Sequence, residues 1–218
     1  MQLQEYLIND VKPLSLSTRV ADLQTIFNQL TYSHLPVVEN GSYLGCVSET
    51  DAHCFLKDET LKELKYALVA FQVEPQVQWL DALEVFARHQ TNILPVIDDK
   101  SNYLGYYELK DVMALFNDTP FMHELGTVVV VEKGTTDFTV SEIAQIVESN
   151  DAKLHGVFVS NQREHFTEIT LKVSNHNLNQ VLQTFRRYGY EIVNAAQHDV
   201  FMDTLKERSE YLDRYLNI

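Results

Sequence analysis

Apolar residues recur every three or four positions at Val20, Leu23, Phe27 and Leu30, a spacing that places all four on one face of a helix. Thr18 precedes them as the expected N-cap. The pattern then changes. His34-Leu35-Pro36-Val37-Val38 reads as a short strand, and Asn40-Gly41 suits a two-residue hairpin because both positions tolerate positive φ. The returning strand runs through Tyr43-Leu44-Gly45-Cys46-Val47-Ser48, and Asp51 is expected to open a helix that turns Phe55 and Leu56 inward. Thr60 and Glu63 form a capping box for a further helical turn. Ahead of all this, Leu3, Leu7 and Ile8 mark residues 1–12 as an amphipathic lead-in that Pro13 ends.

The same order then begins again. Trp79, Ala82, Phe86 and His89 repeat the helical stripe, Phe86 lying 59 residues beyond Phe27. Asn92-Ile93-Leu94-Pro95-Val96-Ile97 echoes residues 33–38 at the same offset, and a turn over Asp98–Asn102, one residue longer, moves the later glycine to an offset of 60. Tyr103-Leu104-Gly105-Tyr106-Tyr107-Glu108-Leu109-Lys110-Asp111 thus repeats residues 43–51, and Val112, Met113, Leu115 and Phe116 line the helix that follows. A repeat of this length and order marks two copies of one supersecondary unit, residues 1–57 and 58–117.

Beyond a Pro- and Gly-bracketed linker at 118–126, the pattern is of another kind. Thr127 to Val131 is a continuous apolar run, and Thr139 caps a helix with Val140, Ile143, Ala144 and Val147 inward. Leu154–Val159 and Phe166–Val173 are strands joined by a polar turn at Asn161–Arg163, the second burying Ile169, Leu171 and Val173 on one face. Asn177 is placed to cap a helix carrying Leu178, Val181, Leu182 and Phe185, Gly189 to end it, and Tyr190–Val193 is the last strand. The order β-α-β-β-α-β over 127–196 is the ferredoxin-like arrangement. Phe201, Leu205, Leu212 and Tyr215 predict a final helix within 197–218.

Composition narrows the function. Acidic residues outnumber basic ones by 31 to 17, a net charge of -14, which argues against a nucleic-acid partner and against attachment to an anionic membrane. No apolar stretch is long enough for a spanning helix, and the first residues lack the pattern of a signal peptide, so a cytoplasmic protein is expected. The two cysteines, Cys46 and Cys54, make no disulfide framework. The eight histidines are scattered, no two at helical ligand spacing, and no metal site is expected. No nucleophile, base and orienter stand at a recognisable spacing and there is no Walker loop, so no catalytic residues are assigned and the chain is not read as an enzyme.

The chemistry lies in the repeat. If its apolar run is a strand and Asp51 or Asp111 opens a helix, polar side chains meet free N–H groups there. Ser48 then has a hydroxyl for a phosphate, and Asp51 has oxygens for ribose hydroxyls. The plainer alternative is that both aspartates are helix caps. An apolar residue and proline before a hairpin, then Gly-x-x-[Ser/Thr]-x-x-Asp, twice, resembles a tandem pair of CBS domains over about residues 1–117.

That resemblance implies an α/β fold of β-α-β-β-α repeats, with AMP, ADP, ATP or S-adenosylmethionine held in the cleft between the halves. The family's phosphate-binding hydroxyl and ribose-binding aspartate correspond to Ser48 and Asp51. In the second half Asp111 matches, but Glu108 replaces the hydroxyl. An ionised carboxylate about 4 Å from a phosphate repels it by roughly 4 kcal/mol at an effective dielectric of 20, so the second half is expected to be empty or to select less charged ligands. Leu14, Leu35, Pro36 and Val37 are placed to make an adenine slot, and equally to be core. Arg19 and His53 stand near enough in sequence to reach a phosphate, with a solvated surface as their plainer role.

The C-terminal part resembles an ACT domain, a family whose dimers often bind amino acids at the first strand-to-helix loop. Phe138 stands where such domains usually carry a glycine, which directs the expectation to packing or dimerisation. A CBS pair followed by an ACT-like domain resembles the acetoin utilisation protein family. The combined expectation is a non-enzymatic regulatory homodimer that senses an adenine nucleotide and signals through dimer or partner contacts; the alternative is an adaptor with vestigial pockets.

Overall fold

Asn40 and Gly41 lie at φ +52° and +84°, as a tight hairpin turn requires, and join β1 (His34–Glu39) to β2 (Ser42–Ser48). The computed structural model describes residues 3–195. The chain divides into two units, residues 1–117 and the residues from 118 onward.

In the first unit, α1 (Val20–Gln29), β1, β2 and α2 (Glu49–Cys54) are followed by α3 (Trp79–His89), β3 (Ile93–Ile97), β4 (Tyr103–Glu108) and α4 (Leu109–Asn117). Each strand pair is an antiparallel hairpin with one register shift, between Val37 and Val38 in one and between Val96 and Ile97 in the other. Each bulge precedes the motif glycine: Val37 faces Gly45 and Val96 faces Gly105.

The two halves exchange a segment. Ile8, ahead of α1 in the first repeat, bridges Tyr106 of β4, while Val69, ahead of α3 in the second, bridges Cys46 of β2. This explains the glycines. A Cβ on Gly105 would lie 2.3 Å from the Ile8 carbonyl oxygen, and one on Gly45 would lie 3.2 Å from both the Val69 oxygen and Leu68 Cβ. Their φ values, +152° and +138°, also favour glycine. Leu14, Leu23, Phe27, Leu35, Val37, Val47 and Ala52 form the core of the first half. The core of the second contains Val73, Phe86, Leu94, Val96, Tyr107 and Val112, and takes in Leu3 and Cys46 from the first.

The second unit contains α5 (Pro120–His123), β5 (Thr127–Gly134), α6 (Val140–Glu148), β6 (Leu154–Gln162), β7 (Phe166–Val173), α7 (Leu178–Arg187) and β8 (Glu191–Ala195). The sheet order is β6-β7-β5-β8 with every neighbour antiparallel, the ferredoxin-like fold expected from the element order. Val129, Val131, Ile169, Leu171 and Val173 on one sheet face pack against Ile143, Val147, Val181 and Phe185 of the two long helices.

Several local expectations change. Thr18 does not cap α1: its hydroxyl accepts from Ser15 N–H, and Arg19 takes the cap position without a side-chain bond. Ser48 rather than Asp51 caps α2. Thr60 N–H does donate to Glu63 Oε2 at 2.8 Å, but the box closes a turn, and only a 3-10 helix, Lys65–Ala67, follows. Leu56, Met113 and Val140 are exposed, because α2 ends at Cys54 and the other two lie off the buried stripes of their helices. Asn177 sits at φ +53° and donates its amide to Asn150 O instead of capping. The polar residues Asn161 and Gln162 belong to β6, moving the turn beyond them. The stretch read as an irregular linker contains α5, whose Phe121 ring meets Phe158 and whose Met122 carbonyl accepts from Lys172. The helix expected within 197–218 lies outside the described residues.

Candidate functional site

The register of the first hairpin decides which side chains share a face. Ser48 pairs with His34 and Cys46 with Pro36, so these four project together. Leu35, Val37 and Val47 alternate with them and enter the core of the first half with Leu14. Of the four apolar residues expected to line an adenine slot, only Pro36 therefore shares the face of Ser48. Leu14, Leu35 and Val37 are core residues, each at most 5% exposed, and Pro36 is buried as well, so none of the four lines an open slot.

Ser48 and Asp51 are brought together. Asp51 N–H donates to Ser48 Oγ at 3.0 Å, and the Ser48 hydroxyl donates to Asp51 Oδ2 at 2.7 Å. Both residues are partly exposed. This exchange caps α2 and leaves Asp51 with a second carboxylate oxygen.

Three ring residues beside them were not singled out from sequence. His34 and Phe71 meet edge to face at 5.4 Å, and Phe71 stacks on His89 at 4.7 Å. His34 Nδ1 lies 3.0 Å from Ser33 Oγ. Burial lowers the pKa of His34, the Asp51 charge pulls it the other way, and His89 lowers it further. Arg19 and His53 are exposed.

The second half is differently furnished. Glu108, the counterpart of Ser48, is 6% exposed. One carboxylate oxygen accepts from the Tyr32 hydroxyl at 2.5 Å and the other is ion-paired with Lys110. The Tyr106 hydroxyl donates to Asp10 at 2.5 Å and lies 3.0 Å from that of Tyr32. Each tyrosine has one proton to give, so with both carboxylates ionised the outer links are the hydrogen bonds. Burial and the hydrogen bond to Glu108 raise the pKa of Tyr32, and burial and the bond to Asp10 raise that of Tyr106. The Asp10 carboxyl is held below its ordinary range by the Tyr106 hydroxyl. Burial, then the charge of Glu108, raises the pKa of Asp111, which is partly exposed. Glu108 is thus neutralised by Lys110 and engaged by Tyr32, which replaces the simple repulsion argument with one of occupancy.

Across the internal repeat the halves hold each other directly. Ser33 N–H donates to Asn92 Oδ1 at 2.9 Å, Asn92 N–H donates to Ser33 Oγ at 3.1 Å, and the Asn92 amide donates to Thr31 O at 2.7 Å. A cavity of about 570 Å³ adjoins these residues, lined by Ser33, Asn92, Thr91, Gln90, Ala87, Phe86, Leu83 and Leu109, and includes none of the nucleotide-binding candidates named from sequence. Among the described residues, no group of three or more His, Cys, Asp or Glu side chains is arranged to hold a metal, and no helix is long and apolar enough to cross a membrane.

The paired hairpins, exchanged segments and repeated glycine motif define a two-fold repeated α/β module. Residues 3–57 match the family model of the CBS domain, and the second half repeats the same order of hairpin, motif glycine and helix. Solved structures similar to the chain include a CBS domain pair/ACT domain protein from Thermotoga maritima, at 21% identity over 53% of this chain and 96% of that one, with a TM-score of 0.48. Another is a putative acetoin utilization protein from Vibrio cholerae, at 20% identity over 57% and 97%, with a TM-score of 0.46. A third, CBSX2 in complex with AMP, is 17% identical over 53% and 95%, with a TM-score of 0.44. No curated protein matches the chain. With TM-scores below 0.5, the assignment rests on the family model and the internal repeat.

Proposed function

We propose that the first unit is a regulatory binding module that takes an adenine nucleotide, AMP, ADP or ATP, or S-adenosylmethionine, at Ser48 and Asp51. The observation that carries this reading is their adjacency at 2.7 Å, both partly exposed, with Ser48 on the same strand face as His34 and Asp51 in the first turn of α2. Asp51 accepts ribose hydroxyls and Ser48 donates to phosphate or its substitute, while Pro36 and Phe71 are buried and offer the base no open surface. Residues 58–117 act as the second CBS repeat, and residues 127–196, as an ACT-like domain, carry the response to a homodimer or a protein partner in the cytoplasm. Neither nucleic acid nor membrane is a partner in this reading.

The test is calorimetric titration of the four ligands into the protein and its Asp51→Ala variant. Loss of hydrogen bonds to a charged acceptor costs about 1.5–3 kcal/mol, so Asp51→Ala should weaken binding by roughly 10- to 150-fold. No heat with any of the four, in protein shown to be folded, refutes the reading. One observation favours a non-catalytic adaptor with vestigial pockets: Ser48 and Asp51 already satisfy each other as a helix cap. A stable dimer indifferent to all four ligands is the result that reading expects.

A further inference from the structure

We propose that the Glu108–Asp111 face of the second half is closed to ligand by side chains of the module itself, that Tyr32 of the first half and Glu108 of the second are the residues that close it, and that the module therefore takes one ligand per chain. The single-ligand part rests on the reading of Ser48 and Asp51 above.

The strand registers relate the halves position by position. The pairs His34↔Ser48 and Pro36↔Cys46 correspond to Ile93↔Glu108 and Pro95↔Tyr106. Where the first half has Ser48 and Cys46, the second has Glu108 and Tyr106, both buried. Tyr32 stands four residues before Pro36, as Thr91 does before Pro95. Tyr32 reaches Tyr106 and Glu108 of the opposite half, their rings and oxygens at 5.6 Å, 3.0 Å and 2.5 Å. Thr91 is too short for the equivalent reach and turns its hydroxyl back onto the Ile93 carbonyl at 2.7 Å.

Asp10 completes the closure. It lies two residues beyond the exchanged bridge of Ile8, where Phe71 lies beyond that of Val69. Two phenol–carboxylate hydrogen bonds, Tyr106 to Asp10 and Tyr32 to Glu108, thus lie in one row with their hydroxyl oxygens 3.0 Å apart, and Lys110 lies beside Glu108. A ligand reaching for Asp111 along the face of Glu108 would have to break this row and expose Glu108. Ser48 and Cys46 of the first half, and Thr91, are small where Glu108, Tyr106 and Tyr32 are large, the ring of Phe71 packs on His34 and His89 instead, and Ser48 remains partly exposed.

The experiment is AMP and S-adenosylmethionine titration, followed by calorimetry, into the full chain and its variants. The wild type should bind one ligand, weakened roughly 10- to 150-fold in Asp51→Ala and retained in Asp111→Ala. Tyr32→Thr with Glu108→Ser, which installs the residue types of their counterparts Thr91 and Ser48, should bind two, the second lost on adding Asp111→Ala. Two ligands on the wild type overturn the closure, as does an unchanged stoichiometry in the folded double variant. Should the double variant not fold, Tyr32→Thr alone makes the same comparison while keeping the Glu108–Lys110 pair. A silent wild type beside a double variant that binds one ligand through Asp111 upholds the closure and refutes the reading of Ser48 and Asp51.

Discussion

Replacing Gly105 by alanine attacks the exchange between the halves at its tightest point. The new Cβ would lie 2.3 Å from the Ile8 carbonyl oxygen, about 1 Å inside ordinary contact, and the obstacle is backbone, which cannot rotate away. Relief requires Ile8 to retreat from Tyr106. The two backbone hydrogen bonds between them, at 3.1 and 2.9 Å, are then lost at about 1 kcal/mol each. Alanine at φ +152° adds about 1–3 kcal/mol of backbone strain. The sum is about 3–5 kcal/mol. With an unfolding entropy of roughly 2.1 cal/mol/K per residue over residues 1–117, the melting temperature of the first unit should fall by roughly 12–20 °C. Trp79, the chain's one tryptophan, packs on the core of that unit and reports its unfolding by fluorescence. The control is Gly41→Ala, where φ is +84° but nothing lies within 4 Å of the new Cβ. If Gly105→Ala proves no more harmful than Gly41→Ala, the contact with Ile8 does not explain the motif glycine.

Other outcomes follow from single sites. Cys46 is fully buried, with its thiol pushed up to about 12 by burial, while Cys54 is exposed; a thiol reagent at mildly alkaline pH should label one cysteine quickly in the native chain and both after unfolding. Folding favours neutral His34, so its contribution to stability is present above the unfolded value of 6.5 and is lost as pH falls through the lower folded one. Urea unfolding followed across that range should show this loss diminished in His34→Asn. Asn92→Ala removes an acceptor for Ser33 N–H and a donor to Thr31 O, and should cost about 1–3 kcal/mol in the same assay.

Much of the fold was legible because it depends on local rules. Helical stripes, the Asn40-Gly41 turn and the duplicated order of elements all follow from residue spacing, and the ferredoxin-like order needed no more. What escaped were features set by chain crossing and by a one-residue irregularity. A hairpin counted straight back from Asn40-Gly41 would set His34 opposite Val47; the extra residue Leu44 in β2 shifts the pairing, so His34 meets Ser48 and the cleft-facing set changes. The Tyr32–Glu108 contact spans 76 residues and leaves no local signature. Glu108 did stand out in the sequence, as the residue that breaks the motif. Its charge was visible there, but the hydroxyl and ammonium that accommodate it were not.

The exchanged segments also order events in time. Cys46 and Val69 are 23 positions apart (69 − 46), and their bridge can form once the first repeat and its successor segment exist. Ile8 and Tyr106 are 98 apart (106 − 8), so closing that bridge brings together nearly the whole length of the first unit. On a ribosome adding about 5–20 residues per second, Ile8 waits roughly 5–20 s for its partner to be made. The segment synthesised first is therefore among the last in the unit to find its place, and until then the edge of β4 that it covers is exposed to any other strand.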